Sequence, residues 1–269
     1  MSRRALGQLV RHLVLAVGGV FMLGPVLLML RAALAPDPGD LFGGGLTLEH
    51  LRVALEQVPI GRYYVNSVVV CAVTFALQVL VCVPAAYALA RLRFRLRRPA
   101  LAATVVIMLV PFQVLAIPVY LLLRAVGLVD SLAALVLPFV GSAFGVFLLR
   151  QFFLSIPTSV FDAARIDGAG TWSVLLRVVV PTARPALVSF GIFSVTALWN
   201  SYFWPSFVLT DDSAATVPFG VVAFLNTDAG TDYGPQMAVA ALSVLPLLIG
   251  FLIAQRQFVR GIALTGQPD

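Results

Sequence analysis

Six stretches of this chain, Leu13–Leu30, Val65–Ala90, Ala100–Leu123, Leu132–Leu149, Ala186–Trp204 and Met237–Ala254, contain no Asp, Glu, Lys or Arg. Each is long enough to cross about 30 Å of hydrocarbon as a helix. Helix is the predicted form, because lipid offers no partner to an open backbone N–H or C=O. Composition agrees: 60% of the 269 residues are hydrophobic and 11% charged, whereas soluble domains hold about 45–50% apolar residues. The expected fold class is an all-α integral membrane protein, a single transmembrane domain over residues 1–269. The first run follows Arg3 and Arg4 and precedes Ala33-Leu34-Ala35, which resembles a signal-peptide cleavage site. It exceeds the roughly 7–15-residue core of such peptides, so an uncleaved helix is expected; sequencing the mature N-terminus separates the two readings.

Every one of the 18 basic residues is Arg. If the six runs all cross, one side receives Arg3, Arg4, Arg11, Arg91, Arg93, Arg95, Arg97, Arg98, Arg150, Arg165, Arg177, Arg184, Arg256 and Arg260. The other receives Arg31, Arg52, Arg62 and Arg124. The positive-inside rule then places both termini and the connection 157–185 in the cytoplasm. Asp211, Asp212, Asp228 and Asp232 fall in an outer loop. The Arg91–Arg98 cluster follows directly on a span, so it reads as a topology anchor touching lipid phosphates rather than a nucleic-acid patch. Cys71 and Cys82 are eleven residues apart in one run, roughly 16 Å along a helix, which is too far for a disulfide. Neither His12 nor His50 has ligand-like neighbours, and no metal is expected.

The connection "DAARIDGAGTWSVLLRVVVPTARPAL", Asp162–Leu187, concentrates charge, Gly and Pro between two apolar runs. Thr158 or Ser159 can cap a short helix with Asp162 in its first turn. Gly168 and Gly170 break it, and Thr171 can cap a second helix. There Trp172, Leu175, Leu176 and Val179 form an apolar stripe, and Pro181 and Pro185 end it. A loop this long and this patterned is functional. Two readings stand on the residues alone: an amphipathic helix on the membrane surface, or a docking element for a cytoplasmic partner.

Asp162-Ala163-Ala164, Asp167-Gly168-Ala169 and then Val178, Val180 and Pro181 resemble the EAA loop of ABC-importer permease subunits, Glu-Ala-Ala, two residues, Asp-Gly-Ala, eight residues, Ile-x-Leu-Pro. Asp replaces Glu at 162 and Val stands at 178 and 180, with the spacing intact. Asn66–Arg91, Met108–Leu123, Arg150–Ala169, Trp199–Leu209 and Ala254–Gly266 are similar to the narrower MalG-type permease of carbohydrate importers, over nearly the whole chain from about residue 12. The resemblance implies a type I importer permease fold with six transmembrane helices. It implies an ATPase-coupling interface at Asp162, Ala163, Ala164, Asp167, Gly168 and Ala169, in which Gly168 makes the turn and Asp167 fixes it by bonding nearby backbone N–H groups. The implied partners are a second permease subunit, two copies of a cytoplasmic ATPase carrying ATP and Mg, and an extracytoplasmic solute-binding protein contacted by the loop holding Asn226, Asp228, Asp232 and Tyr233. The tail, Arg256–Asp269, would approach the ATPase dimer.

The chain has no P-loop of its own, since that loop needs a Lys on the phosphates. No catalytic constellation borders a span, so an enzyme is not expected, nor a cofactor. An ion-gradient-driven carrier generally needs ionisable groups within the membrane, and these spans have none. A carrier using backbone carbonyls, or a passive channel, remains as the alternative. Pro84, Pro111, Pro118, Pro138 and Pro246 lie inside spans, either as kinks for a rocking bundle or as ordinary transmembrane prolines. Asn66, Gln78, Trp199, Asn200 and Tyr202 are the candidate solute contacts, with Thr74 and Ser194 nearby. Against this, Trp199, Tyr202, Phe203 and Trp204 suit an aromatic belt and the polar groups suit interhelical hydrogen bonds. Lack of an intramembrane Arg points toward a neutral, carbohydrate-like solute.

Overall fold

A computed structural model describes residues 3–39, 43–224 and 232–263, with side chains placed for 7–8, 11–39, 43–224 and 232–252. All regular structure among them is helical. Helix α1 spans Arg3–Leu34, α2 Glu49–Gln57 and α3 Ile60–Arg91. Next come α4 Arg97–Leu109, α5 Phe112–Ala125, α6 Leu132–Val136 with a 3-10 turn to Phe139, and α7 Ala143–Ser155. The motif segment holds α8 Thr158–Ile166, α9 Thr171–Val174 running through a π-turn Leu175–Val179, and α10 Val180–Thr182. The chain then forms α11 Arg184–Trp199, α12 Phe203–Val208, α13 Val217–Val222 and α14 Tyr233–Ala263.

Three helical stretches, Arg11–Leu34, Ile60–Arg91 and Tyr233–Leu252, are long and apolar enough to cross a bilayer unbroken. Three others are bent pairs: α4 and α5 at 100°, α6 with its 3-10 turn and α7 at 43°, and the 171–182 helix and α11 at 75°. The third apolar run is therefore not one straight span. Pro111 forces Val110 into extended backbone (φ −84°, ψ 116°) and the helix restarts at Phe112. The fifth ends at Trp199, capped by Asn200, rather than at Trp204.

Two compact units emerge, Met1–Arg62 with Val217–Leu247, and Tyr63–Thr216 with Leu248–Asp269. In the first, Ala33 and Ala35 are buried, Thr47 N–H bonds Leu34 C=O at 2.8 Å, and the His50 ring bonds Ala35 C=O at 2.9 Å. The second has two apolar clusters. One joins α3, α7, α8, α9–α10 and α11 through Ala86, Leu149, Phe153, Phe161, Val179 and Phe190. The other joins α3, α5, α6 and α12 around Trp204, which is 1% exposed, stands edge-on to Phe112 at 5.1 Å and donates its indole N–H to Ala134 C=O at 2.9 Å. Trp204 is thus a core residue, not part of an exposed belt.

Candidate functional site

The ends of two helices fix the 157–185 segment. An α-helix leaves its last four carbonyls without partners, and in α7 Arg91 serves two of them and the carbonyl of the C-cap Ile156. Its Nε and Nη2 donate to Phe153 C=O at 3.1 and 2.6 Å, and Nη2 also reaches Leu154 C=O at 3.3 Å and Ile156 C=O. The same guanidinium lies 4.2 Å over the Phe161 ring of α8. The end of α3 is served likewise, by Arg97 on Leu89 and Ala90 C=O and by Arg150 on Leu89 C=O. The basic cluster is accordingly divided. Arg91 and Arg97 are turned into the chain, contrary to a pure lipid anchor, while Arg93, Arg95 and Arg98 are exposed.

Helix α8 begins at Thr158 with Pro157 before it and no side-chain cap. Asp162 therefore lies in the second turn and not the first, where it pairs with Arg165 at 3.5 Å. The helix closes in a Schellman turn. Gly168 stands at φ +73°, its N–H bonds Arg165 C=O at 3.0 Å, and Ala169 N–H bonds Ala164 C=O at 2.9 Å. Gly168 makes the turn as expected, and only a glycine adopts this backbone without strain. The expected role of Asp167 is not: its side chain is exposed and bonds no N–H among the described residues, because the backbone already satisfies the turn. Thr171 is likewise not a cap, since Gly170 holds that position.

The second helix also departs from its expected stripe. Val174, Leu175 and Val179 are buried against α3 and α7, while Trp172 and Leu176 are 65% and 61% exposed. The π-turn at 175–179 inserts an extra residue, and this rotates the apolar face away from plain 3.6 spacing. Around α8, Thr158, Phe161, Asp162 and Arg165 line an inward cavity of about 630 Å³, whereas Ala163 and Ile166 face away, Ile166 86% exposed. Ala164 and Ala169 pack against the core cluster. The motif thus presents a small and apolar outer face on a helix riveted from behind.

The candidate solute residues are not brought together. Asn66 is buried and donates to Ser213 and Ala215 C=O at 2.9 and 2.8 Å. Gln78 donates to Phe139 C=O at 2.8 Å and accepts from Ser194 Oγ. It thereby satisfies a carbonyl freed by the α6–α7 break, the interhelical use that membrane helices make of amides. Trp199 is buried with its ring 6.0 Å from Tyr64, Asn200 bonds back to Thr196 C=O at 2.8 Å, and Tyr202 is exposed. Gln78 and Ser194 do line a cavity of about 420 Å³ with Ser142, Ser201, Phe144 and Phe193. Ser142 and Ser201 escaped the sequence reading. Ser142 caps α7 by accepting from Gly145 N–H at 3.0 Å, a signal present in the Gly-Ser-Ala sequence before that helix. Asn226 and Asp228 lie outside the described residues, as does the tail from Leu264. Asp232 and Tyr233 are exposed at the start of α14. Among the described residues no cluster of His, Cys, Asp or Glu could hold a metal ion.

Residues 82–264, which include the whole motif segment, match the family described as binding-protein-dependent transport system inner membrane component. The chain belongs to that family. Among curated proteins, this permease is 30% identical over 264 residues to the lactose transport system permease protein LacG of Rhizobium radiobacter, covering 97% of this chain and 96% of that one. It is also 30% identical over 265 residues to the sn-glycerol-3-phosphate transport system permease protein UgpE of Yersinia pestis bv. Antiqua (strain Antiqua), covering 93% and 94%. Its fold matches a chain in the crystal structure of a bacterial ABC transporter involved in the import of the acidic polysaccharide alginate, with TM-score 0.82 and 23% identity over 96% of this chain and 99% of that one. It is a membrane-embedded permease subunit of an ABC importer, with the type I importer fold expected from its motif.

Proposed function

We propose that this permease forms one half of an ATP-driven pathway for a neutral sugar or related polyol. In this reading it crosses the plasma membrane six times with both termini cytoplasmic, the bent pairs α4–α5 and α6–α7 each counting as one crossing and α11 alone as another. A second permease subunit completes the pathway. One of two ATPase subunits holding ATP and Mg seats on the α8 elbow, and a solute-binding protein delivers cargo from outside to the loop before α14. The observation that carries the reading is the geometry of Asp162–Ala169: a short helix closed by a positive-φ glycine and anchored by Phe161 and Arg91, with Ala163 turned outward. Small residues allow close approach of a partner, and anchoring lets movement be transmitted rather than absorbed. The sugar assignment rests on the solutes named for LacG and on the absence of an ionised residue in the apolar runs. A phosphorylated solute such as the one named for UgpE would call for a cationic group in the pathway.

The test is uptake into proteoliposomes containing both permeases, the ATPase and the binding protein. Labelled disaccharide should accumulate only with ATP and with all four components. Accumulation without the ATPase, or driven by an imposed ion gradient alone, refutes the proposal.

A further inference from the structure

The cavity of about 630 Å³ behind α8 is not explained by docking on the outer face of that helix. Its charged lining is Arg91, Arg93, Arg165 and a single carboxylate, Asp162, with hydroxyls from Tyr87, Thr158 and Thr171. Arg93 is exposed and makes no hydrogen bond or ion pair among the described residues. Arg165 is held only by the 3.5 Å pair to Asp162, in which both side chains are more than half exposed. Arg91 is held in place by its three carbonyls through Nε and Nη2, and its Nη1 donates to no described atom. The site therefore has an excess of positive charge, N–H groups on Arg93 and on Arg91 Nη1 that bond no described atom, and one immobilised guanidinium. Apolar walls complete it: Ala90 and Leu92 from the end of α3, Phe161 and Val174.

We propose that this cavity binds a phosphate group, held between Arg91, Arg93 and Arg165. Guanidinium forks match phosphate oxygens and form charge-assisted bonds with them. Position argues in the same direction. The cavity sits at the end of the apolar run 65–90, where a crossing helix leaves hydrocarbon at the level of lipid phosphates. An occupant would draw Arg165 off Asp162 and join α8 to the end of α3, so occupancy would set the stiffness of the elbow. The inference goes beyond the transport reading and takes from it only that this end of α3 meets the membrane surface. Two sources of the same chemistry are available, a phospholipid headgroup and a soluble phosphate.

The experiment is native mass spectrometry of the purified complex exposed to phosphatidylglycerol or, as a lipid without phosphate, to diacylglycerol. Phosphatidylglycerol should be retained preferentially. The double variant Arg93→Ala/Arg165→Ala should lower retention by roughly ten-fold or more, and Arg95→Ala, outside the cavity, should leave it unchanged. Should the double variant fail to assemble, Arg93→Ala alone carries the test, because Arg93 lies off the docking helix. Displacement of the lipid by millimolar inorganic phosphate assigns a soluble source, and resistance to it assigns the lipid; either outcome supports the site. Equal retention of the two lipids, undiminished retention in the variants, or retention seen only after the ATPase is stripped away overturns it. Uptake of sugar fails or succeeds separately from these readouts.

Discussion

Substituting Gly168 tests the elbow with little else disturbed. A Cβ built there meets nothing within 4 Å, so the effect of a side chain is confined to the backbone at φ +73°. For alanine the left-handed conformation costs about 1–2 kcal/mol, of which about 0.4–1 kcal/mol is recovered by stiffening the unfolded chain. The net is about 1 kcal/mol, a roughly five-fold loss in population of the turn. Asparagine tolerates this conformation and should fall between glycine and alanine. Proline cannot reach positive φ and also removes the N–H that bonds Arg165 C=O at 3.0 Å. Its cost is about 3 kcal/mol or more, on the order of a hundred-fold. The assay is ATPase affinity for the purified permease pair, alongside ATP hydrolysis stimulated by the binding protein and a thermal melt of the bundle. The expected order of affinity is Gly, Asn, Ala and then Pro by a wide margin, with the melt unchanged across the series. Wild-type affinity in the proline variant, or alanine as damaging as proline, would refute the reasoning.

Gly145→Ala places a methyl 2.3 Å from the Phe190 ring, which is fully buried beside Phe75. A loss of roughly 1–3 kcal/mol is expected, read as a lowered Tm and partly restored by adding Phe190→Leu, since the clash and not the lost glycine is the cause. Asn66→Leu leaves the Ser213 and Ala215 carbonyls without their donor. It should destabilise by roughly 1–3 kcal/mol and raise hydrogen exchange across 213–216, while ATPase binding stays intact. The Asp130 carboxyl is held below the usual carboxylate range by the Thr210 backbone N–H first and then the Thr210 hydroxyl, with a lesser contribution from Asp211 N–H. Its folded-state pKa is depressed, so its contribution is complete at neutral pH and is lost as pH falls below the usual carboxylate range and through the depressed folded-state value. The melting temperature should drop more between pH 7 and pH 3 in the wild type than in Asp130→Asn, and parallel pH profiles would count against the link.

Much of this architecture could be read from the residues because lipid imposes one rule on the backbone. Runs without charge became helices, and the Asp-Gly-Ala spacing located the elbow and its glycine. What escaped depended on how a helix starts, stops or slips. A single residue of difference in where α8 begins moved Asp162 out of the first turn. Along the π-turn Leu176 is exposed although it was expected on the same buried stripe as Leu175. At Pro111, apolar content on both sides concealed a 100° bend, since hydrophobicity reports length and not direction. The candidate solute contacts were the least legible part of the sequence. Gln78 and Asn66 are polar groups in apolar helices, and either a ligand or a broken neighbouring helix can account for such a residue. Here each bonds carbonyls more than 60 positions away in the chain, 61 for Gln78 and 147 and 149 for Asn66, which no local pattern announces.

The single cation at Arg91 clasps the end of α7 with one edge and rests on the Phe161 ring with its face, while its own stem belongs to α3. A thrust delivered to the elbow therefore has no hinge in which to dissipate at this point. Two helices are gripped by one flat side chain, so a load on either is shared by both at this point.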